Sequence, residues 1–231
     1  MRRVAVCVLL CLVCTAGSGP ALSKSALVAV EQRYRDELTL DVYRPASPRA
    51  VVVLLPGCCG DRRDLGTLAR ALARRGAVVL NPDMHVRVDG RGWPDVYSEA
   101  VCAVSAGRRI ADADQGLARH LTVVGWSDGA LVGASIVLGW GTLARQLGGD
   151  CVDRPGRGPD RFIGLAGHYG WPANQPANDI VTPAAAAWFG GYPDQVPAAW
   201  QQGNPGQWVP LSDPDVVPPI LLIAGDRKSV V

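Results

Sequence analysis

Net charge is almost absent from this sequence: 23 lysines and arginines against 21 aspartates and glutamates leave +2 over 231 residues. That balance gives no basic footprint for nucleic acid. Long apolar runs are lacking too. The run from Val4 to Cys14 is too short to cross a bilayer as a helix, which takes about 20 residues, and no other segment reads as a membrane span. The 27 glycines follow no collagen period, no internal repeat is present, and the cysteine spacing matches no zinc ligand set. Histidine is scarce, with only His85, His120 and His168 in the chain. What is there is a 48% hydrophobic fraction, which excludes a disordered chain and suits one domain with a substantial core.

The N-terminus has the three-part layout of a secretory signal peptide: the positive start Met1-Arg2-Arg3, the apolar run, then the small and turn residues from Thr15 to Pro20. Cleavage after Ser18 and cleavage after Ser23 both fit the small-residue rule, and residues 1–23 are assigned to the signal. Val13 ahead of Cys14 excludes a lipoprotein signal. The mature protein is therefore expected to be secreted and soluble. Cys7, Cys11 and Cys14 leave with the signal, and Cys58, Cys59, Cys102 and Cys151 remain. An even number in an oxidising compartment predicts two disulfides, with three possible connectivities. Neighbouring cysteines rarely bridge each other, so the expectation is that one of Cys58 and Cys59 pairs with Cys102 and the other with Cys151.

Residues 24–225 alternate strand and helix signals. The runs 50–55, 77–80, 121–124, 162–165 and 220–223 are continuously apolar, as strands of a parallel sheet covered on both faces must be. Ahead of them, 27–35 and 38–43 alternate like an antiparallel edge hairpin. Leu65, Leu68 and Leu72 share one helical face that Gly76 terminates, and 96–111 and 129–147 read as two further helices. This is the pattern of an α/β sheet with right-handed crossovers. Residues 168–217 break it with a loop-rich, lid-like excursion carrying Trp171, Trp188, Trp200 and Trp208, in which 184–189 is the best short helix.

Gly125-Trp126-Ser127-Asp128-Gly129 follows the strand 121–124 and opens a helix. A G-x-S-x-G turn in that setting predicts a nucleophile elbow, with Ser127 strained, its hydroxyl raised at a helix N-terminus, and Gly125 and Gly129 removing the Cβ atoms that would clash. The competing reading is a serine capping an ordinary strand-to-helix turn. Pro56-Gly57-Cys58-Cys59-Gly60 follows an earlier strand and suits an oxyanion loop. Gly57 would permit close approach, and the backbone N–H groups of Cys58 and Asp128 would be the oxyanion donors.

With these motifs in this order the chain resembles the α/β-hydrolase fold, and within it the secreted carboxylesterases of the esterase/lipase and feruloyl-esterase-like kind. Asp41-x-Tyr43-x-Pro45 and Pro218-Pro219 leading through an apolar strand to Gly225 are similar to sequences of that family. Pro56 stands where many members have histidine, and Cys58-Cys59 replace glycines. The resemblance implies a serine hydrolase of small carboxylic esters that works through an acyl-enzyme, with no metal and no cofactor. It places the catalytic acid a few residues past Gly225 and the histidine base beyond one more strand and helix. Lys228 stands in the acid's slot, and Asp226 fits only with a shifted register. His168 follows a middle strand and reads as a pocket-edge or structural residue. Residues 226–231, Asp-Arg-Lys-Ser-Val-Val, resemble a translated sequencing-library adapter. On that reading the chain is a C-terminally truncated, near-inactive hydrolase lacking its last strand and helix. The rival readings are a non-catalytic ligand-binding protein on the same scaffold and a serine peptidase of the same fold. A dienelactone-type hydrolase would want cysteine at position 127.

Overall fold

The computed structural model describes residues 28–58, 61–87, 90–117, 120–169, 182–209 and 217–224. The signal peptide, Cys59, Trp171, Asp226 and the 226–231 tail lie outside them. Among the described residues, seven strands form one mixed sheet: β1 (Ala29–Arg35), β2 (Leu38–Tyr43), β3 (Ala50–Leu55), β4 (Ala77–Pro82), β5 (Leu121–Trp126), β6 (Arg161–Leu165) and β7 (Ile220–Ile223), in the order β1-β2-β4-β3-β5-β6-β7. The hairpin β1–β2 joins antiparallel at β4, and every later pairing is parallel. The apolar runs are continuous because both faces of the central strands are covered. Val51, Val53 and Leu55 of β3 point into one core layer, and Val52 and Leu54 point into the other.

Helix α1 (Arg62–Arg74) covers the second face. Asp61 caps it by accepting from the Arg63 N–H at 2.7 Å, and Gly76, at φ +98°, ends it in the left-handed region that glycine enters without strain. Its innermost residues are Leu65, Ala69 and Ala73, with Leu68 and Leu72 packed half-buried at the flank. The first face carries α2 (Asp95–Asp112), α3 (Asp128–Leu138) and α4 (Trp140–Leu147). The single helix expected over 129–147 is thus two, bent by 104°. The break lies at Gly139, where a Cβ would sit 2.6 Å from the indole of Trp208, so the distant tryptophan fits only against a residue with no side chain.

Among its described residues the excursion forms the short helix expected near 184–189 and two more, α5 (Pro183–Phe189), α6 (Pro197–Gly203) and α7 (Pro205–Trp208), each opened by a proline whose fixed φ suits a first turn. Trp188 and Trp200 are 3% and 7% exposed, and Tyr97 of α2 accepts from the Trp188 indole at 3.2 Å. These aromatic rings fill space over α2 and α3.

The disulfide pairing differs from the expectation. Cys102 bonds Cys151. Cys102 lies fully buried in α2, and Cys151 lies in the segment after α4, bridging to Arg35 of β1. Cys58 sits exposed just past β3, on a different part of the fold. The bond closes a sequence separation of 49 residues, so replacing both cysteines by alanine is expected to lower stability by about 2–4 kcal/mol in a urea titration. A loss below about 1 kcal/mol would mean that the loop is already held by its other contacts.

Coverage thins toward β7. On the face of α1, Ile163 and Leu165 are half-buried, and their neighbours Leu221 and Ile223 are 53% and 49% exposed. On the other face Ile220 and Leu222 are 39% and 49% exposed and line an apolar cavity of about 430 Å³ with Ala134, Leu138 and Tyr169.

Candidate active site

The carboxyl ends of β3, β4, β5 and β6 carry the polar residues that meet at one point. β5 ends at Trp126 and α3 begins at Asp128, which leaves Ser127 alone to turn the chain. Its backbone is at φ 54°, ψ −119°, a region that non-glycine residues enter only under strain. Its N–H donates to the Leu165 carbonyl at 2.9 Å, which ties the turn to the end of β6. The Ser127 side chain makes no capping hydrogen bond to α3, so an ordinary serine cap does not account for it. The turn is as tight as the glycines imply. A Cβ on Gly125 would lie 2.3 Å from the Gly129 carbonyl, and one on Gly129 would lie 2.3 Å from the carbonyls of Leu55 and Pro56.

The loop after β3 lies against this turn. A Cβ on Gly57 would stand 3.0 Å from the Ser127 Cβ and 3.2 Å from the Trp126 carbonyl, and Cys58 follows at the next position. Asp128 is the first residue of α3, where helix geometry gives the backbone N–H no carbonyl partner. Its carboxylate is buried and held by Arg87, whose Nε donates to Oδ2 at 2.7 Å and Nη2 to Oδ1 at 3.2 Å. His168, just past β6, brings Nε2 to 3.7 Å from Asp128 Oδ1. Burial moves the His168 imidazole below its ordinary pKa and Arg87 adds to that, while Asp128 pulls the other way. The net shift favours the neutral ring.

No family model matches the chain, and no curated protein sequence does. Solved structures do. A propionate-bound esterase from Thermogutta terrifontis is 17% identical over 84% of this chain and 70% of its own, with a TM-score of 0.62. A bacterial heroin esterase is 16% identical over 84% of this chain and 65% of its own, with a TM-score of 0.61. A bifunctional GH43-CE protein from Bacteroides eggerthii is 18% identical over 80% of this chain and 28% of its own, with a TM-score of 0.57. The chain has the α/β-hydrolase fold.

On this hydrolase fold the structure brings together Ser127, Asp128, Gly57, Gly125 and Gly129, with Cys58 beside them and His168 at their edge. It does not bring Cys102 or Cys151 there. Two features at the same end of the hydrolase sheet were not foreseen. One is Arg87, 41 positions before its partner Asp128. The other is His85, whose Nδ1 meets the buried Glu99 carboxylate at 2.7 Å while Glu99 also accepts the His85 backbone N–H at 2.8 Å. Their only signal in the sequence is the density of polar residues between β4 and α2.

Proposed function

We propose that this protein is a secreted serine hydrolase of small carboxylic esters. Ser127 attacks the ester carbonyl and forms an acyl-enzyme, which water then cleaves. The N–H groups of Asp128 and Cys58 hold the oxyanion. The reading is carried by the Ser127 turn, strained, without a capping bond, and pressed against the Gly57 loop. The esterases among the structural neighbours favour it over a peptidase. Trp188 and Trp200, two of the four tryptophans that the binding-protein alternative relies on, are buried and offer it no ligand surface. The Cys102–Cys151 bond is in keeping with export to an oxidising compartment.

We further propose that the acid and the histidine base of this mechanism are encoded past Gly225. The partial exposure of the described β7 residues is in keeping with this, since a further strand and helix would cover those apolar side chains. Without a base the serine hydroxyl is a weak nucleophile, and loss of the base removes about 10⁴- to 10⁶-fold of the rate in other serine hydrolases. Sequencing genomic DNA through the codon for Gly225 is expected to give Asp or Glu within a few codons and His some tens further on. The product of that frame is expected to hydrolyse short-chain aryl esters. A stop after Val231 in the genome would overturn the missing-base reading and turn attention to His168.

A further inference from the structure

An aspartate one residue past the nucleophile creates two difficulties for the chemistry just proposed. A carboxylate at the first position of a helix can turn back onto the N–H groups of its own first turn, and one of these is the Asp128 donor itself. Its negative charge also competes with an oxyanion for the same helix N-terminus. Covalent geometry keeps an aspartate's carboxyl carbon within about 4 Å of its own amide nitrogen. The charge cannot be far from the site.

Arg87 answers both difficulties. Its Nε and Nη2 grip the two Asp128 oxygens side-on, at 2.7 and 3.2 Å, which occupies both oxygens with a partner outside α3. Only 5% of the Asp128 side chain is exposed, so water does little to screen its charge, whereas Arg87 is 31% exposed. Among the described residues His168 also faces this carboxylate, at 3.7 Å, and burial holds its imidazole below the ordinary pKa; buried Tyr97 interacts with the Asp128 charge as well. Arg87 is in turn fixed from behind. Its guanidinium carbon lies 5.3 Å from the Trp188 ring centroid, and its N–H donates to the Arg91 carbonyl at 3.1 Å. Arg87 adopts φ +58°, a strained conformation that its surroundings must impose. Trp188 is itself tied to the same loop, its carbonyl accepting from the Trp93 N–H at 2.8 Å.

We propose that Arg87 is a positioning residue of the acyl-transfer site, fixing and neutralising the Asp128 carboxylate so that the Asp128 N–H stays open to the oxyanion and no net negative charge opposes it. The inference rests on the reading of Ser127 as nucleophile. The Trp188 helix thereby acts on the chemistry through Arg87.

The test uses the gene product at the length its genomic frame gives, and an alkyl fluorophosphonate as probe. In that reaction the Ser127 Oγ–P bond forms as the P–F bond breaks, fluoride and the serine proton leave, and negative charge grows on the phosphoryl oxygen. Arg87→Met is expected to slow incorporation about 10- to 100-fold. Arg87→Met combined with Asp128→Asn is expected to recover at least tenfold of that loss, because the buried charge is gone. Arg87→Lys should fall between wild type and Arg87→Met, and it supplies the comparison if the methionine variant does not fold by near-ultraviolet circular dichroism. An unchanged rate in Arg87→Met, or a double variant as slow as the single one, would overturn the inference and leave Ser127 as nucleophile. Incorporation that survives Ser127→Ala would instead overturn the Ser127 reading, and this inference with it.

Discussion

Ser127→Ala in the gene product that carries its base is expected to lower kcat for a short-chain aryl ester by about 10⁴-fold or more, with the fold intact. The size follows from chemistry. No other described side chain at the turn offers a nucleophile in that strained position, and water attacking without the acyl-enzyme step would have only the oxyanion donors to assist it. The absence of a structural penalty follows from geometry. The Ser127 hydroxyl makes no capping bond to α3, so removing it leaves no helix donor newly unsatisfied. The backbone contacts that set the turn, Ser127 N–H to Leu165 and Ala130 N–H to Ser127, both at 2.9 Å, do not involve the side chain. Stability is therefore expected to change by less than about 1 kcal/mol. Thermal melting beside the ester assay checks both halves. A variant with more than a tenth of wild-type kcat would remove Ser127 from the mechanism, and one that melts far earlier would mean the hydroxyl holds the turn together.

The sheet was legible wherever a strand is buried on both faces. The run from Val51 to Leu55 is apolar without alternation because α1 and α2 cover opposite sides of it, and β5 and β6 read the same way. The elbow was legible because two of its five residues are constrained by backbone contacts of a few ångströms, and such constraints leave glycines in the sequence. What depends on distant partners was not legible. The break at Gly139 is set by Trp208, and a propensity reading of 129–147 has no means of finding it. The disulfide depends on which face of α2 carries Cys102 and on where the chain after α4 returns, so counting and spacing pointed to the wrong partners. Arg87 is the functional case. Nothing local distinguishes it from the other arginines, and its meaning comes from Asp128 and Trp188, brought to it by β5 and by the excursion.

Gly129→Ala tests how tightly the elbow and the oxyanion loop are built as one unit. The new Cβ would lie 2.3 Å from the carbonyl oxygens of Leu55 and Pro56, against the ~3.5 Å of a relaxed non-bonded contact. Both obstacles are backbone atoms, one in β3 and one at the start of the Gly57 loop, so the start of α3 and the end of β3 must part. Gly133→Ala on the same helix makes the right comparison. Its Cβ would meet the Phe162 ring at 2.6 Å, and a ring edge can yield where a carbonyl held in a parallel sheet cannot. The helix propensity gained, up to about 1 kcal/mol, favours alanine at both sites and largely cancels between them. Gly129→Ala is therefore expected to lose about 3 kcal/mol in urea denaturation and roughly 6–12 °C in Tm. Gly133→Ala should lose less than half as much. Because Pro56 leads directly into Gly57 and Cys58, the displaced carbonyl also moves the proposed oxyanion donors. Ester hydrolysis by Gly129→Ala should accordingly fall at temperatures where the variant is still fully folded. Equal stabilities for the two variants would mean that β3 and α3 are not locked together, and a stable Gly129→Ala with full activity would separate the loop from the elbow.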